Sequence, residues 1–87
     1  RQGELDLVLQ KDETYVFCEV KTRSHTSPAL PREWVTPKKQ QRLILAAQTW
    51  LQNQSLADVP CRFDVVEVIF QKDGSHTLNC IENAFSL

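Results

Sequence analysis

This sequence predicts a single mixed α/β domain with the element order β-β-α-β-β, on three observations. Two extended segments, the first with a period of two and the second rich in β-branched and aromatic residues, lie close together near the start. One segment with a period of about 3.6 residues occupies the middle. Two further extended segments, separated by Asp73-Gly74, close the chain. A length of 87 residues holds one domain around a small core, so residues 1–87 are read as one unit.

The first strand runs from Glu4 to Gln10, where Leu5, Leu7 and Leu9 alternate with Glu4, Asp6 and Val8. Lys11-Asp12-Glu13 is a polar turn. Thr14 to Thr22 is rich in β-branched and aromatic residues and forms the second strand, and the short connection makes the pair an antiparallel hairpin. Arg23 to Val35 shows no period and contains Ser24, Thr26, Ser27, Pro28 and Pro31, a long loop of the kind that often carries function.

Thr36-Pro37 starts a helix, with Thr36 as N-cap and Pro37 at the first helical position. Leu43, Ala46, Ala47, Trp50 and Leu51 then form an apolar face opposite Gln41, Gln48, Gln52 and Asn53, and the helix ends near Asn53 to Ser55. Arg62 to Phe70 is apolar on both faces, with Phe63, Val65 and Ile69 on one and Val66, Val68 and Phe70 on the other, the pattern of a strand covered on two sides. After Asp73-Gly74, Thr77 to Glu82 is the returning strand. Leu78, Cys80 and Ile81 do not share a parity there, which predicts a bulge or an edge position.

Composition excludes several classes. With 41% hydrophobic and 24% charged residues, the chain is neither disordered nor rich enough in apolar runs to span a membrane. Its three cysteines, Cys18, Cys61 and Cys80, form no CxxC pair, so a zinc knuckle and a thioredoxin-like motif are both ruled out. Free, reduced thiols are expected, with Cys18 acting as a small hydrophobe inside Tyr15-Val16-Phe17-Cys18, and a reducing cytoplasm is the expected location. The net charge of −1 hides an asymmetry. Residues 21–42 carry Lys21, Arg23, Arg32, Lys38, Lys39 and Arg42 against Glu33 alone, a balance of +5, while the remainder carries −6. Arg23, Arg32, Lys38, Lys39 and Arg42 are therefore candidates for contacting the phosphates of a nucleic acid, against the alternative of a merely solvated loop and helix start.

The chemistry is carried by polar residues that interrupt apolar strands. Glu19 and Lys21 differ by two, so both leave the same face of the second strand, and Glu4 and Asp6 share a face of its neighbour. If the hairpin turns these faces together, two or three carboxylates and one ammonium converge. Carboxylates that close stay ionised only beside a cation, and Mg²⁺ or Mn²⁺ suits such oxygen ligands. The lysine would then orient water or stabilise charge on a phosphate. The competing explanation is a solvent-facing strand whose charged side chains do no more than meet water.

Asp6 followed by Glu19-Val20-Lys21 resembles the PD-(D/E)xK nuclease signature. The wider text resembles the YraN-like family, a bacterial family placed with the Holliday-junction-resolvase-like branch of the restriction-endonuclease fold. The matching stretches are Gly3-Glu4-Leu5-Asp6-Leu7-Val8, Val16 to Arg23, Val35 to Leu43, Ala46-Ala47, Trp50-Leu51, Pro60 to Val66 and Ile81 to Phe85. The resemblance implies a restriction-endonuclease-like mixed sheet within an α-β-β-β-α-β core. It assigns Asp6 and Glu19 to metal binding and Lys21 to the catalytic lysine. It also implies a leading helix, often bearing a further acidic residue, and a first strand before Gly3. The chain opens at Arg1 and contains no Met, so it is expected to be N-terminally incomplete, with an open sheet edge and apolar surface that favour self-association, a homodimer being the simplest form.

Lys38 and Lys39 in the first helical turn oppose the helix dipole, and a bound phosphate would compensate. Gln40 lies at the margin of the apolar helix face and is an accessory candidate, as is Glu4 on its strand. His25 and His76 have no ligand-spaced companion. Asp64 is expected to bind backbone or Arg62, Trp34 to stand beside the basic loop where it could stack on a base, and Trp50 to be core. The expected function is a metal-dependent endonuclease acting on DNA, with branched DNA among its candidate substrates. The alternatives are a non-cleaving nucleic-acid-binding module of the same fold and an interaction or scaffold domain.

Overall fold

A computed structural model of the chain describes residues 5–26 and 36–85. Glu4, Arg32 and Trp34, named above for possible roles, lie outside the described residues.

Strand β1 (Leu7–Lys11) and strand β2 (Thr14–Ser24) form the expected antiparallel hairpin, with Leu7 opposite Cys18 and Lys11 opposite Thr14. Asp12 takes a positive φ of 55° in the turn, a conformation that a short polar side chain tolerates. β1 begins later than the alternation implies, and Asp6 sits in the bend before it. β2 runs on past Thr22 to Ser24, because strand β3 (Cys61–Phe70) pairs with it in parallel as far as Ser24 and Phe70.

That parallel pairing needs a crossover, and helix α1 (Pro37–Asn53) supplies it. Thr36 caps the helix as expected: its Oγ1 accepts from the Lys39 N–H at 3.2 Å, and Pro37 needs no partner at the first position. The C-terminus closes without glycine. Ser55 takes a φ of 56° and donates to the Gln52 carbonyl at 3.0 Å, while Leu56 donates to the Leu51 carbonyl at 2.9 Å, the paired bonds of a Schellman motif.

Strand β4 (His76–Phe85) pairs antiparallel with β3 and completes a four-stranded sheet in the order β1-β2-β3-β4. β4 lies at an edge of this sheet and carries an irregularity, the two features its mixed parity predicts. Leu78 and Cys80 lie on one face opposite Val68 and Val66, and Ile81 lies on the other opposite Val65. The irregularity falls later, between Ile81 and Phe85, where Asn83 has a φ of 52° and donates its N–H to Asp64 Oδ1 at 2.9 Å.

α1 covers one face of the sheet. Leu43 and Ala47 pack on Phe17 and Phe63, with Tyr15, Ile44, Trp50, Leu51 and Phe85 around them. The Trp50 ring meets Phe17 edge-on at 5.8 Å and Phe63 stacks on Phe85 at 4.5 Å, so Trp50 is core as expected. The odd-numbered residues of β2 and β3 therefore face the helix. On the opposite face Leu7, Leu9, Phe70 and Leu78 are exposed, so among the described residues β3 is not covered on both sides. Asp64, also on that face, is buried and accepts from Arg62 Nε and Nη2 at 2.9 Å each, so it binds both Arg62 and backbone. All three cysteines are free, Cys18 among them buried, and burial pushes its thiol up. Among the described residues no helix is long and apolar enough to cross a membrane.

Candidate active site

The β1–β2 register, continued by one residue, sets Asp6 across from Glu19. The chain bends there, and the Asp6 carboxylate takes up the next amide of β2: its Oδ2 accepts from the Val20 N–H at 2.8 Å. Glu19 and Lys21 occupy the odd, helix-facing positions beyond Phe17. Lys21 Nζ lies 2.9 Å from Glu19 Oε1, and both side chains are mostly withdrawn from solvent. Two strands and one hairpin register thus bring Asp6, Glu19 and Lys21 to one place.

α1 adds a fourth member. It runs back over β2, so Trp50 lies on Tyr15 and Phe17 while the first helical turn lies by Lys21. The Lys39 amine lies close enough to Lys21, Glu19 and Asp6 to feel all three charges. The neighbouring Lys21 amine, burial and the Lys21 charge hold Lys39 below the ordinary lysine range. Lys21 is pushed up, first by the Lys39 amine and then by Glu19. Lys21 is accordingly the better-held ammonium of the two.

The remaining candidates are dispersed. Lys38 and Arg42 are exposed on α1, and Gln40 is half-buried on its first turn, where its N–H donates to the Thr36 carbonyl at 2.8 Å. Arg23 lies on the same face as Lys21 but is committed to Glu67, with Nε 2.9 Å from Oε2. Of the basic segment, Lys21 and Arg23 are thus each paired with an acid, Glu19 and Glu67. Lys38 and Arg42 turn their charge to solvent.

Glu67 was not singled out from the sequence. It is 1% exposed, pairs in register with Lys21, and receives a further bond from Asn79 Nδ2 at 3.4 Å. The signal was available. A single acid interrupts Val65-Val66-Glu67-Val68-Ile69 just as Glu19 and Lys21 interrupt β2.

The donor set suits a hard divalent cation in kind. Asp6 Oδ2 is occupied by the Val20 amide and Glu19 Oε1 by Lys21, leaving Asp6 Oδ1 and Glu19 Oε2 as the oxygens a cation would take. Among the described residues no group of three His, Cys, Asp or Glu side chains converges, so water and phosphate oxygens would complete its shell.

The uncharacterised protein family UPF0102, the YraN-like family of the resemblance, matches residues 1–68. A UPF0102 protein of Pelobacter propionicus is 42% identical over 87 residues, covering 98% of this chain and 62% of its own length. One of Desulforapulum autotrophicum is 44% identical over 85 residues, covering 98% of this chain and 69% of its own. One of Symbiobacterium thermophilum is 45% identical over 85 residues, with 98% and 72% covered. The chain therefore spans roughly two thirds of the length of these relatives, 62% in the first case.

Proposed function

We propose that this chain, which belongs to the UPF0102 family, is a metal-dependent nuclease of the PD-(D/E)xK type that hydrolyses phosphodiester bonds in DNA, branched DNA included. The observation that carries the reading is the convergence of Asp6 and Glu19, from paired segments, beside Lys21 on the helix-covered face of a mixed sheet.

Asp6 and Glu19 would hold Mg²⁺ or Mn²⁺, which supplies Lewis-acid polarisation of a phosphoryl oxygen and a lowered pKa for water. The protein's own residues do the rest. The Val20 amide fixes the Asp6 carboxylate. Glu19 aims the Lys21 ammonium, which stabilises negative charge as it grows on the phosphate. Lys39 presents a second amine to the same anion from the helix N-terminus, which itself favours anions. Lys38 and Arg42, exposed on α1, extend a positive track for the flanking phosphates. The reading carries DNA as partner and the cytoplasm as location.

Calorimetry with Mn²⁺ and cleavage assays on linear and four-way-junction DNA test it, using the full-length protein. Asp6→Asn and Glu19→Gln are expected to abolish metal binding. Lys21→Met is expected to leave it intact and to remove cleavage, because an ammonium does not ligate a metal. A wild-type protein without affinity for Mn²⁺ or Mg²⁺ sinks the nuclease reading. A second reading, a DNA-binding module that does not cut, is favoured by the pair of carboxylates where a third would strengthen the site. Metal and DNA binding without cleavage would select it.

A further inference from the structure

Glu67 is the unexplained charge of this fold. It is 1% exposed in the middle of an apolar strand, yet its carboxylate lies on the face that carries Glu19 and Lys21. A buried ion pair is a poor device for stability, since well-packed apolar replacements are often neutral or better. What this pair does achieve is orientation. Arg23 offers Nε at 2.9 Å to Oε2 and Nη2 at 3.5 Å to Oε1, the fork arrangement of a guanidinium on a carboxylate. Asn79 Nδ2 holds the same carboxylate from β4 at 3.4 Å, so the acceptor is itself fixed. Arg23 Nη1 reaches the Ser24 carbonyl at 3.4 Å, and the side chain keeps 20% of its surface in solvent. Arg23 stands two residues beyond Lys21 on one face of β2, about 6.6 Å at strand rise. That separation suits contact with the next phosphate along a strand.

We propose that Glu67 is a positioning residue that pins the Arg23 guanidinium, so that Arg23 holds the phosphate adjacent to the one bound at Lys21. The inference rests on the DNA reading of the site and adds to it the residue that organises the second phosphate contact. A long arginine free in solvent loses side-chain entropy on binding, whereas one already held by a buried carboxylate has lost it during folding. The Coulombic cost of removing Glu67 would fall on stability, but the orienting role is read in DNA affinity.

The test is a double-mutant cycle on the full-length protein, with anisotropy of labelled duplex and four-way-junction DNA as readout. Glu67→Met and Arg23→Met should each weaken binding about 10-fold, and Arg23→Met should lower the slope of log affinity against log salt by about 1. The double variant should be no weaker than either single one, because Glu67 acts only through Arg23. Mn²⁺ affinity by calorimetry should be unchanged in all three. Circular dichroism melts check folding, and Glu67→Gln, which keeps the shape and removes the charge, replaces Glu67→Met if that variant does not fold. Losses that multiply to about 100-fold in the double variant overturn the proposal. So does an unchanged affinity in the Glu67 variant beside a weakened Arg23→Met, or a wild-type protein that does not bind DNA. Failure of the nuclease reading shows separately, as absent Mn²⁺ affinity or absent cleavage in the wild type.

Discussion

Lys39 on the first turn of α1 and Lys21 on β2 lie near enough for each charge to act on the other, two cations with Glu19 and Asp6 as their neighbouring anions. Lys39 is further disfavoured by the helix dipole, and the first turn of α1 contains no acidic residue to offset it. On the proposed nuclease reading, the phosphate is the anion that would relieve this pairing of cations.

Lys39→Gln should therefore stabilise the protein while weakening its grip on DNA. Removing the like charge beside Lys21 and the cation at the helix start should raise stability by about 0.5–1 kcal/mol. Urea unfolding and DNA anisotropy on the same variant read both effects. A variant that loses stability and keeps full DNA affinity would contradict the assignment.

At Asp6 the two roles of the carboxylate can be separated. Asp6→Asn retains an oxygen that accepts from the Val20 N–H and should unfold within about 0.5 kcal/mol of wild type. Asp6→Ala removes the acceptor and should cost about 1 kcal/mol. Both should lose Mn²⁺ binding, which makes the asparagine variant the cleaner probe of the metal.

Arg23, donating a hydrogen bond, holds the Glu67 carboxyl below the ordinary glutamate value of 4.5, and Asn79 adds to the effect. A carboxyl depressed on folding contributes stability that is complete above the unfolded value and is lost as pH falls through the folded one. The melting temperature should accordingly fall below about pH 4.5 and continue to fall as Glu67 protonates. Glu67→Gln should start lower at neutral pH, by roughly 1–3 kcal/mol, and show a flatter acid limb. Identical pH slopes in the two proteins would show that Glu67 is not the group titrating.

Asp64 joins Arg62 to the irregular end of β4 through the Asn83 N–H. Asp64→Ala leaves the half-buried Arg62 guanidinium and the Asn83 amide without this acceptor and should cost about 1–3 kcal/mol. Hydrogen exchange should rise first at the Ile81–Phe85 end of β4. A loss confined to other strands would show that the bulge is held by something else.

Much of this was legible from residue order, because alternation and the 3.6-residue period are local properties. Leu43, Ala47, Trp50 and Leu51 turn to the sheet as their spacing implies, and Thr36 caps α1 through the Lys39 amide. Glu19 and Lys21 share a face because their numbers differ by two. The hairpin that brings Asp6 to Glu19 follows from the short polar turn between two strands. The mixed parity of β4 likewise matches its edge position and its irregularity, and only the place of that irregularity, at Asn83, needed the structure.

By itself the sequence determined the element order, the core face of the helix and the grouping of Asp6, Glu19 and Lys21, all of which depend on spacing within an element or across one tight turn. The tertiary structure alone decided that β3 lies parallel to β2 with Glu67 beside Lys21, and that α1 returns over β2 to set Lys39 on the same anions. Periodicity tells which face of its own element a residue occupies. Which neighbour that face meets is set by how a long crossover packs, through contacts between residues more than forty positions apart, such as Arg23 and Glu67.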